Sequence, residues 1–358
     1  MSMKRICKVP NYYGWDIGGA HVKLCQIKSK KNKDIIRATH LKCKLWMGLK
    51  HLDKIIKKLE NDWHFNENDL HFFTMSGEMV DCFPNRKDGI KNILKILKKI
   101  FGPKIKFYSQ ESLLIKARSI HNWQSIASAN WHATASFISS HIKEGILIDV
   151  GSTTTDIIPI KNNMPLTDVN TSDAKRLQKG ELVYLGVTRT PVSSIKPFLS
   201  FRNRSYNVMR ESFANTADVF RITGEISNKI DLYPTCDKKK KSTPASERRL
   251  ARVIGMDRED ASSEEWKTFA NNIKKAIIEE LHQNICKIKK KLNLSAQTPL
   301  IVTGSGAFLA KQLSMEKNYS IFKFHELVQK KIELHNSQIE EINICAPAVS
   351  LALIAKNK

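Results

Sequence analysis

"GILIDVGSTTTDIIPI", residues 145–160, decides how this chain is read. Ile146, Leu147 and Ile148 form an apolar run that ends on Asp149. Gly151, the hydroxyl run Ser152, Thr153, Thr154 and Thr155, and a second carboxylate, Asp156, follow before the chain turns apolar again. The pattern is strand, tight polar turn, strand. Small residues in such a turn let several backbone N–H groups point at one spot, which makes an anion nest. The hydroxyls add donors. A carboxylate at the strand end is a ligand for Mg2+, directly or through water, because hard cations take oxygen ligands. The stretch therefore reads as a cradle for a phosphate chain and its metal. A solvated hairpin also uses Asp and Gly, so one such turn alone decides little.

Two further turns strengthen the reading. "YYGWDIGGAHVKLCQI" (12–27) repeats the pattern, with Asp16 after an apolar run and Gly18-Gly19 in the turn, where glycine permits φ > 0 and close approach of backbone. "PLIVTGSGAFLA" (299–310) carries Gly304, Ser305 and Gly306 after another apolar run. An Asp-x-Gly turn in each half implies a duplicated domain, with a boundary near residues 140–145. Amphipathic spacing predicts helices at 51–60, through Leu52, Ile55, Ile56 and Leu59, and at 89–101. A short strand ending in a polar turn is expected at 71–78, another strand at 104–109, and helices at 129–142 and 346–357, the last with Pro347 in its first turn. The stretch 195–270 is more polar, with a lysine run at 238–241, and reads as an irregular, elaborated segment.

Composition sets limits on the function. The 358 residues suffice for two sizeable cores. No apolar run approaches a membrane span, and the basic start "MSMKRICKVP" reads as a short tail, so a cytoplasmic protein is expected. The seven cysteines are scattered without a CxxC pair, which favours free thiols over a disulfide framework or zinc ribbon. The net charge of +24 favours phosphorylated small substrates, but no nucleic-acid recognition signature accompanies it, so nucleic acid is not an expected partner. The sequence leaves the oligomeric state open.

"DIGGAHVKL", "DVGSTTTDI" and "TGSGA" resemble the phosphate and nucleotide motifs of the actin-like ATPase superfamily. "TMSGEMVDCFPNRKDGI", "GELVYLGVTRTPV", "FANTADVFRITG" and "RRLARVIGMD" resemble more narrowly the hydantoinase/oxoprolinase-like proteins of tetrahydromethanopterin-linked one-carbon transfer, which occur in archaea and methylotrophs. The resemblance covers most of the chain. It implies an α/β fold of two actin-like, ribonuclease H-like lobes, with mixed sheets flanked by helices and a central cleft. Residues 1–143 would form the first lobe and 144–345 the second, with 346–358 a helix packing on the first.

The resemblance also implies a chemistry. Archaeal relatives join a furanylmethyl diphosphate to a tyramine-type phenol in methanofuran biosynthesis and release diphosphate. In this sequence the run Ser152–Thr155 replaces the glycine and hydroxyl usual in nucleotide-binding relatives, and Ala20-His21 stands where many kinases have a small hydroxyl residue. These departures shift the expected occupant from ATP to the diphosphate of a substrate. An ATP-dependent kinase or ligase is the alternative.

The expected roles follow from this. Asp16, Asp149 and Asp156 hold Mg2+, and Gly18, Gly19, Gly151, Ser152–Thr155 and Gly304–Gly306 cradle phosphate oxygens. Arg189 in "GVTRTP" offers a bidentate phosphate contact. Glu78, Asp81 and Asp218 are the candidate bases for the phenol proton. His21, just after the first glycine turn, is as readable as a phosphate contact as it is as a structural residue, and His132 reads as packing or solvent-facing. Trp15, Trp46, Trp123 and Trp131 could stack on a furan or phenol but are more often core in such contexts.

Overall fold

The structure, a computed structural model, describes residues 9–30, 33–111, 113–168, 171–330 and 332–358. Residues 1–8 of the basic tail, including Cys7, lie outside the described residues. The chain divides into two compact units. The first runs to Gly145 and takes in Ile158–Asp173 and Lys323–Lys358, and the second comprises Ile146–Ile157 and Ala174–Phe322.

The chain opens with a three-stranded antiparallel meander, β1 (Tyr12–Ile17), β2 (His21–Lys28) and β3 (Asp34–Lys42). Helix α1 (Lys50–Trp63) leads to β4 (Leu70–Met75), which lies parallel to β1. Helix α2 (Arg86–Phe101) leads to β5 (Lys106–Ser109), parallel to β4, and β6 (Leu113–Lys116) closes that edge. Helix α3 (Asn130–Ser139) ends this half.

The second half begins with β7 (Glu144–Val150) and β8 (Thr155–Lys161), followed by β9 (Met164–Pro165), α4 (Asp173–Lys179) and β10 (Leu182–Val183). A hairpin, β11 (Phe198–Phe201) with β12 (Arg204–Asn207), precedes α5 (Thr216–Ile222), α6 (Thr243–Arg252) and the long α7 (Ser263–Lys291). Next come β13 (Leu300–Thr303), α8 (Leu309–Lys317) and β14 (Ile321–Lys323). The chain then returns to the first unit with α9 (Phe324–Gln329), β15 (Ile332–Glu333), α10 (Ile339–Ile344) and α11 (Ala346–Lys356).

Among the described residues the first sheet has the order β15-β3-β2-β1-β4-β5-β6, and the second runs β10-β8-β7-β13-β14. The core of each is the same 3-2-1-4-5 order. Strand β13 lies parallel to β7, pairing Thr303 with Asp149, as β4 lies parallel to β1. This is the ribonuclease H-like order met twice, in mixed sheets flanked by helices.

Alternation along β1 sets the two faces of the first sheet. Tyr13, Trp15 and Ile17 enter a core with Leu52, Ile56 and Leu59 of α1 and Ile90, Ile93 and Leu97 of α2. Those helical residues recur at i, i+3 and i+4, so each helix buries one stripe. Asn85 caps α2 by accepting from the Asp88 N–H at 2.9 Å, and Lys98 and Lys99 sit in its last turn, where cations suit the helix dipole. The opposite face carries Gly14, against which α11 packs. A Cβ at Gly14 would lie 2.1 Å from the Ala348 carbonyl oxygen, so glycine is what lets helix and strand backbones touch.

The polar stretch after 195 is more regular than its composition suggests. It holds α5, α6 and the start of α7, whose N-terminus is fixed by a reciprocal capping box between Ser262 and Glu265. No single helix among the described residues is long and apolar enough to cross a membrane. The bent pair Asn336–Ile344 and Ala346–Lys356 passes only when taken together, and α11 is a buried core helix.

Candidate functional site

The hydroxyl-rich turn is built in the second unit by three stretches. The turn itself closes with Gly151 N–H donating to the Thr154 carbonyl at 2.8 Å. The segment 185–190 then grips it from one side. Val187 N–H donates to the Gly151 carbonyl at 3.0 Å, and the Thr188 and Arg189 N–H groups both donate to the Ser152 carbonyl, at 3.2 and 3.0 Å. A Cβ at Gly186 would lie 2.4 Å from backbone atoms of Ser152 and Thr153, so only glycine admits this approach. Thr190 and Thr216 hold Gly186 in turn. The Gly186 N–H donates to Thr190 Oγ1 at 2.8 Å, and Thr216 Oγ1 donates to the Gly186 carbonyl at 2.7 Å.

The third stretch is the turn after β13. Gly304 adopts φ +88°, which favours glycine, and a Cβ there would lie 2.4 Å from Asp149 Oδ1 and 2.3 Å from the Val150 carbonyl oxygen. Gly306 N–H donates to that carbonyl at 2.8 Å. Asp149, Gly151, Ser152, Thr153, Thr154, Gly304 and Gly306 are thus brought together. Ser305 is half-buried on the same turn. The side chains divide by role. Thr155 Oγ1 is spent on the Leu185 carbonyl at 2.7 Å, whereas Ser152 Oγ and Thr153 Oγ1 lie 3.4 Å apart on the half-buried rim. Arg189 is exposed, with its guanidinium over the Tyr233 ring at 5.5 Å. Asp156 accepts from the buried Arg176 at 2.5 Å.

The first turn lies in the first unit. Gly18 N–H donates to the His21 carbonyl at 2.9 Å, the same closure as at Gly151. Neither Gly18 nor Gly19 takes the left-handed φ that the sequence pattern permitted. They are needed for space: a Cβ would lie 2.8 Å from the His21 carbonyl oxygen at Gly18 and 2.7 Å from Val80 Cγ1 at Gly19. Asp16, almost fully buried, pairs with Lys23 of the neighbouring strand at 3.3 Å.

The three candidate bases occupy different settings. Asp81 is exposed. Asp218 is wholly buried, and its Oδ1 accepts from Ser246 Oγ and Arg249 Nε, each at 2.8 Å, with Arg221 at 3.2 Å. Two guanidinium groups hold that charge in place. Glu78 is also wholly buried, but its Oε1 meets only neutral donors, the Ser128 N–H and Oγ, each at 2.8 Å. Among the described residues, Oε2 has no hydrogen-bond partner. Burial raises the carboxyl's pKa above the ordinary 4.5, and the nearby Asp173 adds to the rise. The Ser128 hydroxyl lies 3.1 Å from Asp173, which pairs with Arg86 at 2.7 Å.

Several contributors were missed from the sequence: Gly186, Thr190, Ser128, Asp173 and Lys23. Gly186 and Thr190 lie in "GVTRTP" and Lys23 in "DIGGAHVKL", stretches that the sequence singled out without assigning these residues a role, whereas Ser128 and Asp173 carried no signal. His132 and Trp15 each make a hydrogen bond within the first unit. Tyr108 and His132 Nδ1 are 2.9 Å apart, and the buried Trp15 donates to His71 at 3.1 Å.

Residues 70–332 match the hydantoinase/oxoprolinase family. A protein of Methanocaldococcus jannaschii named (4-{4-[2-(gamma-L-glutamylamino)ethyl]phenoxymethyl}furan-2-yl)methanamine synthase is 32% identical over 324 residues, spanning 90% of this chain and 93% of its own. A protein of the same name from Methanococcus vannielii is 29% identical over 229 residues, 63% of this chain and 96% of its own. Among solved structures, a PilM–PilN type IV pilus biogenesis complex covers 97% of this chain and 98% of the matched one at 13% identity, with a TM-score of 0.49. With nearly three quarters of its length matched, and a relative aligned almost end to end, the chain belongs to the hydantoinase/oxoprolinase family.

Proposed function

We propose that this protein is a transferase of furan one-carbon carrier biosynthesis, which joins a furanylmethyl diphosphate to a tyramine-type phenol and releases diphosphate. The observation that carries this reading is the end-to-end similarity to the M. jannaschii synthase, whose name describes a phenoxymethyl-furan product. Forming that ether breaks the bond between the furanylmethyl carbon and diphosphate oxygen and makes one to the phenol oxygen. The phenol proton passes to a base. The furan ring stabilises positive charge at the carbon, so departure of the diphosphate is the step that the protein must assist.

The hydroxyl-rich turn fits that task. Ser152, Thr153 and the backbone of 152–154 hold the diphosphate oxygens, and Arg189 adds a charged contact from the rim. Asp149 suits a hard cation: it is a nearly buried carboxylate, and a Cβ at position 304 would lie 2.4 Å from its Oδ1, so glycine leaves room there. Asp149 would hold Mg2+, which when bound would supply positive charge to offset that of the leaving diphosphate. Asp16 and Asp156 are supporting candidates, each already beside a basic group. Of the three candidate bases, Glu78 has a carboxyl whose pKa burial raises and which meets only neutral donors, the setting that suits a base, whereas Asp218 is tied up by two arginines.

The test is diphosphate release from a furanylmethyl diphosphate with Mg2+ and a tyramine-type acceptor, without ATP. Acceptor-dependent release supports the reading. No release, with ATP broken down on adding an acceptor, replaces it with an ATP-dependent kinase or ligase.

A further inference from the structure

On the first sheet, the face covered by α11 carries a row of polar groups remote in sequence. Asp16, Lys23 and His40 are cross-strand neighbours on β1, β2 and β3. Helix α10 continues the row. His40 Nδ1 lies 2.7 Å from Glu341 Oε1, which lies 3.8 Å from Cys345 Sγ. Glu341 and Cys345 are four residues apart, so one helical face presents both. The three donor atoms all lie within 4.8 Å of one another.

We propose that His40 Nδ1, Glu341 Oε1 and Cys345 Sγ bind a zinc-class divalent cation, with water in the fourth position. Zinc bonds to nitrogen, oxygen and sulfur of about 2.0–2.3 Å give tetrahedral edges of about 3.3–3.8 Å. The Glu341–Cys345 separation already matches that edge, and the His40–Glu341 pair needs to open by only about half an ångström. Imidazole and thiolate beside one carboxylate select zinc over Mg2+, which takes oxygen. The Lys23 charge nearby is offset by Asp16 at 3.3 Å. The His40 side chain is 7% exposed and Glu341 25%, so a cation has a way in past the carboxylate.

Hydrogen bonds from His40 and from the Cys345 thiol both converge on Glu341 Oε1 and hold α10 on β3; a cation would replace them with one centre that all three donor atoms can reach. Cys345 binds such a cation as the thiolate, so binding releases its proton. The site staples positions 301 residues apart, and its donor set shares no residue with the groups proposed to hold the diphosphate.

Chelator-treated protein titrated with Co2+, as a visible substitute for Zn2+, tests this. The expected result is one equivalent bound, with a thiolate-to-cobalt charge-transfer band, proton release on binding, and displacement by Zn2+. Cys345→Ser should remove the band. His40→Gln, which leaves the buried thiol untouched, should weaken binding by more than the roughly 10–100-fold that loss of a supporting partner costs. The competing pair, Cys286 with His282 on α7 (3.5 Å between Sγ and Nε2), serves as the control. A band that persists in Cys286→Ser supports the site at His40. A band lost in Cys286→Ser, or no Co2+ bound at all, overturns it. Unchanged affinity in His40→Gln overturns it too.

Discussion

The two Asp-x-Gly turns share one frame and differ in what fills it. Each is closed by the glycine N–H on the carbonyl three residues on, at 2.9 Å in the first and 2.8 Å in the second. Between those points the first turn holds Gly19 and Ala20, and the second holds Ser152 and Thr153. Seven residues beyond the aspartate stands Lys23 in one and Asp156 in the other. The first aspartate thus has its cation on the next strand, at 3.3 Å, while the second turn carries hydroxyls and two carboxylates. Their supports differ as well. The first turn packs on Val80 and Gly77, beside the buried Glu78, and the second is held by backbone hydrogen bonds from 187–189. The shared backbone frame thus carries an aspartate paired with Lys23 in the first turn, and in the second a hydroxyl-rich turn whose Asp156 is paired with Arg176, the turn we propose for the diphosphate.

The sharpest way to break this comparison is to remove one charge from each turn. Asp149→Asn should lower the rate of diphosphate release by about 10²–10³-fold with the thermal midpoint little changed. Asp16→Asn should cost about tenfold less than that, because its charge is already paired. Equal losses, measured as kcat under saturating substrate, would mean that the turns do not divide the work.

Glu78→Gln comes next, with an expected rate loss of about 10²-fold. It also carries a stability signature. Burial raises the folded pKa above 4.5, so between 4.5 and the folded value the native state keeps a proton that the unfolded chain gives up. Stability then falls as pH rises through that window. Glu78→Gln should be the more stable form above the window in urea titrations and lose that advantage below it, while still accepting from Ser128.

Gly186→Ala tests the grip on the second turn. Its Cβ would collide with the Ser152–Thr153 backbone, so a stability loss of about 1–3 kcal/mol is expected, with weaker substrate binding. An unchanged midpoint would show that segment 185–190 yields freely. Arg189→Ala should raise KM about tenfold at nearly constant kcat, and a constant KM would remove Arg189 from the site. The smallest effect belongs to Ser152→Ala, a few-fold in kcat/KM, since one neutral hydrogen bond is worth about 1 kcal/mol.

Much of this was legible in the sequence. The apolar runs ending in Asp-x-Gly announced both hairpins, because strand burial and turn chemistry are written locally. The stripes Leu52–Ile56–Leu59 and Ile90–Ile93–Leu97 likewise announced α1 and α2. The stretch 195–270 misled for a physical reason. Its helices bury charge: Asp218 with Arg249 and Arg221, and Glu247 with Arg258. Buried ion pairs look like a solvated face in composition, since only tertiary partners distinguish the two. At the site the hydroxyl run was legible. The close approach of Gly186 was not, because its partner backbone lies more than thirty residues earlier. The contrast between Glu78 and Asp218 was equally hidden, because a carboxylate's neighbours decide its role and none of these neighbours is adjacent in sequence.

The packing of α11 on Gly14 has a consequence for how the chain is made. Segments 146–157 and 174–322 of the second unit are all synthesised before α10 and α11, whereas the first unit needs residues up to 356 to cover a face of strands made first. Lys356 reaches back 322 residues to Asp34. At about 5–20 residues per second, that face of the opening meander stays bare on the ribosome for roughly 15–60 s. The unit that comes second in the numbering is therefore the first that can finish folding. During that interval the nascent chain presents an unsatisfied sheet to whatever holding factors the cell supplies.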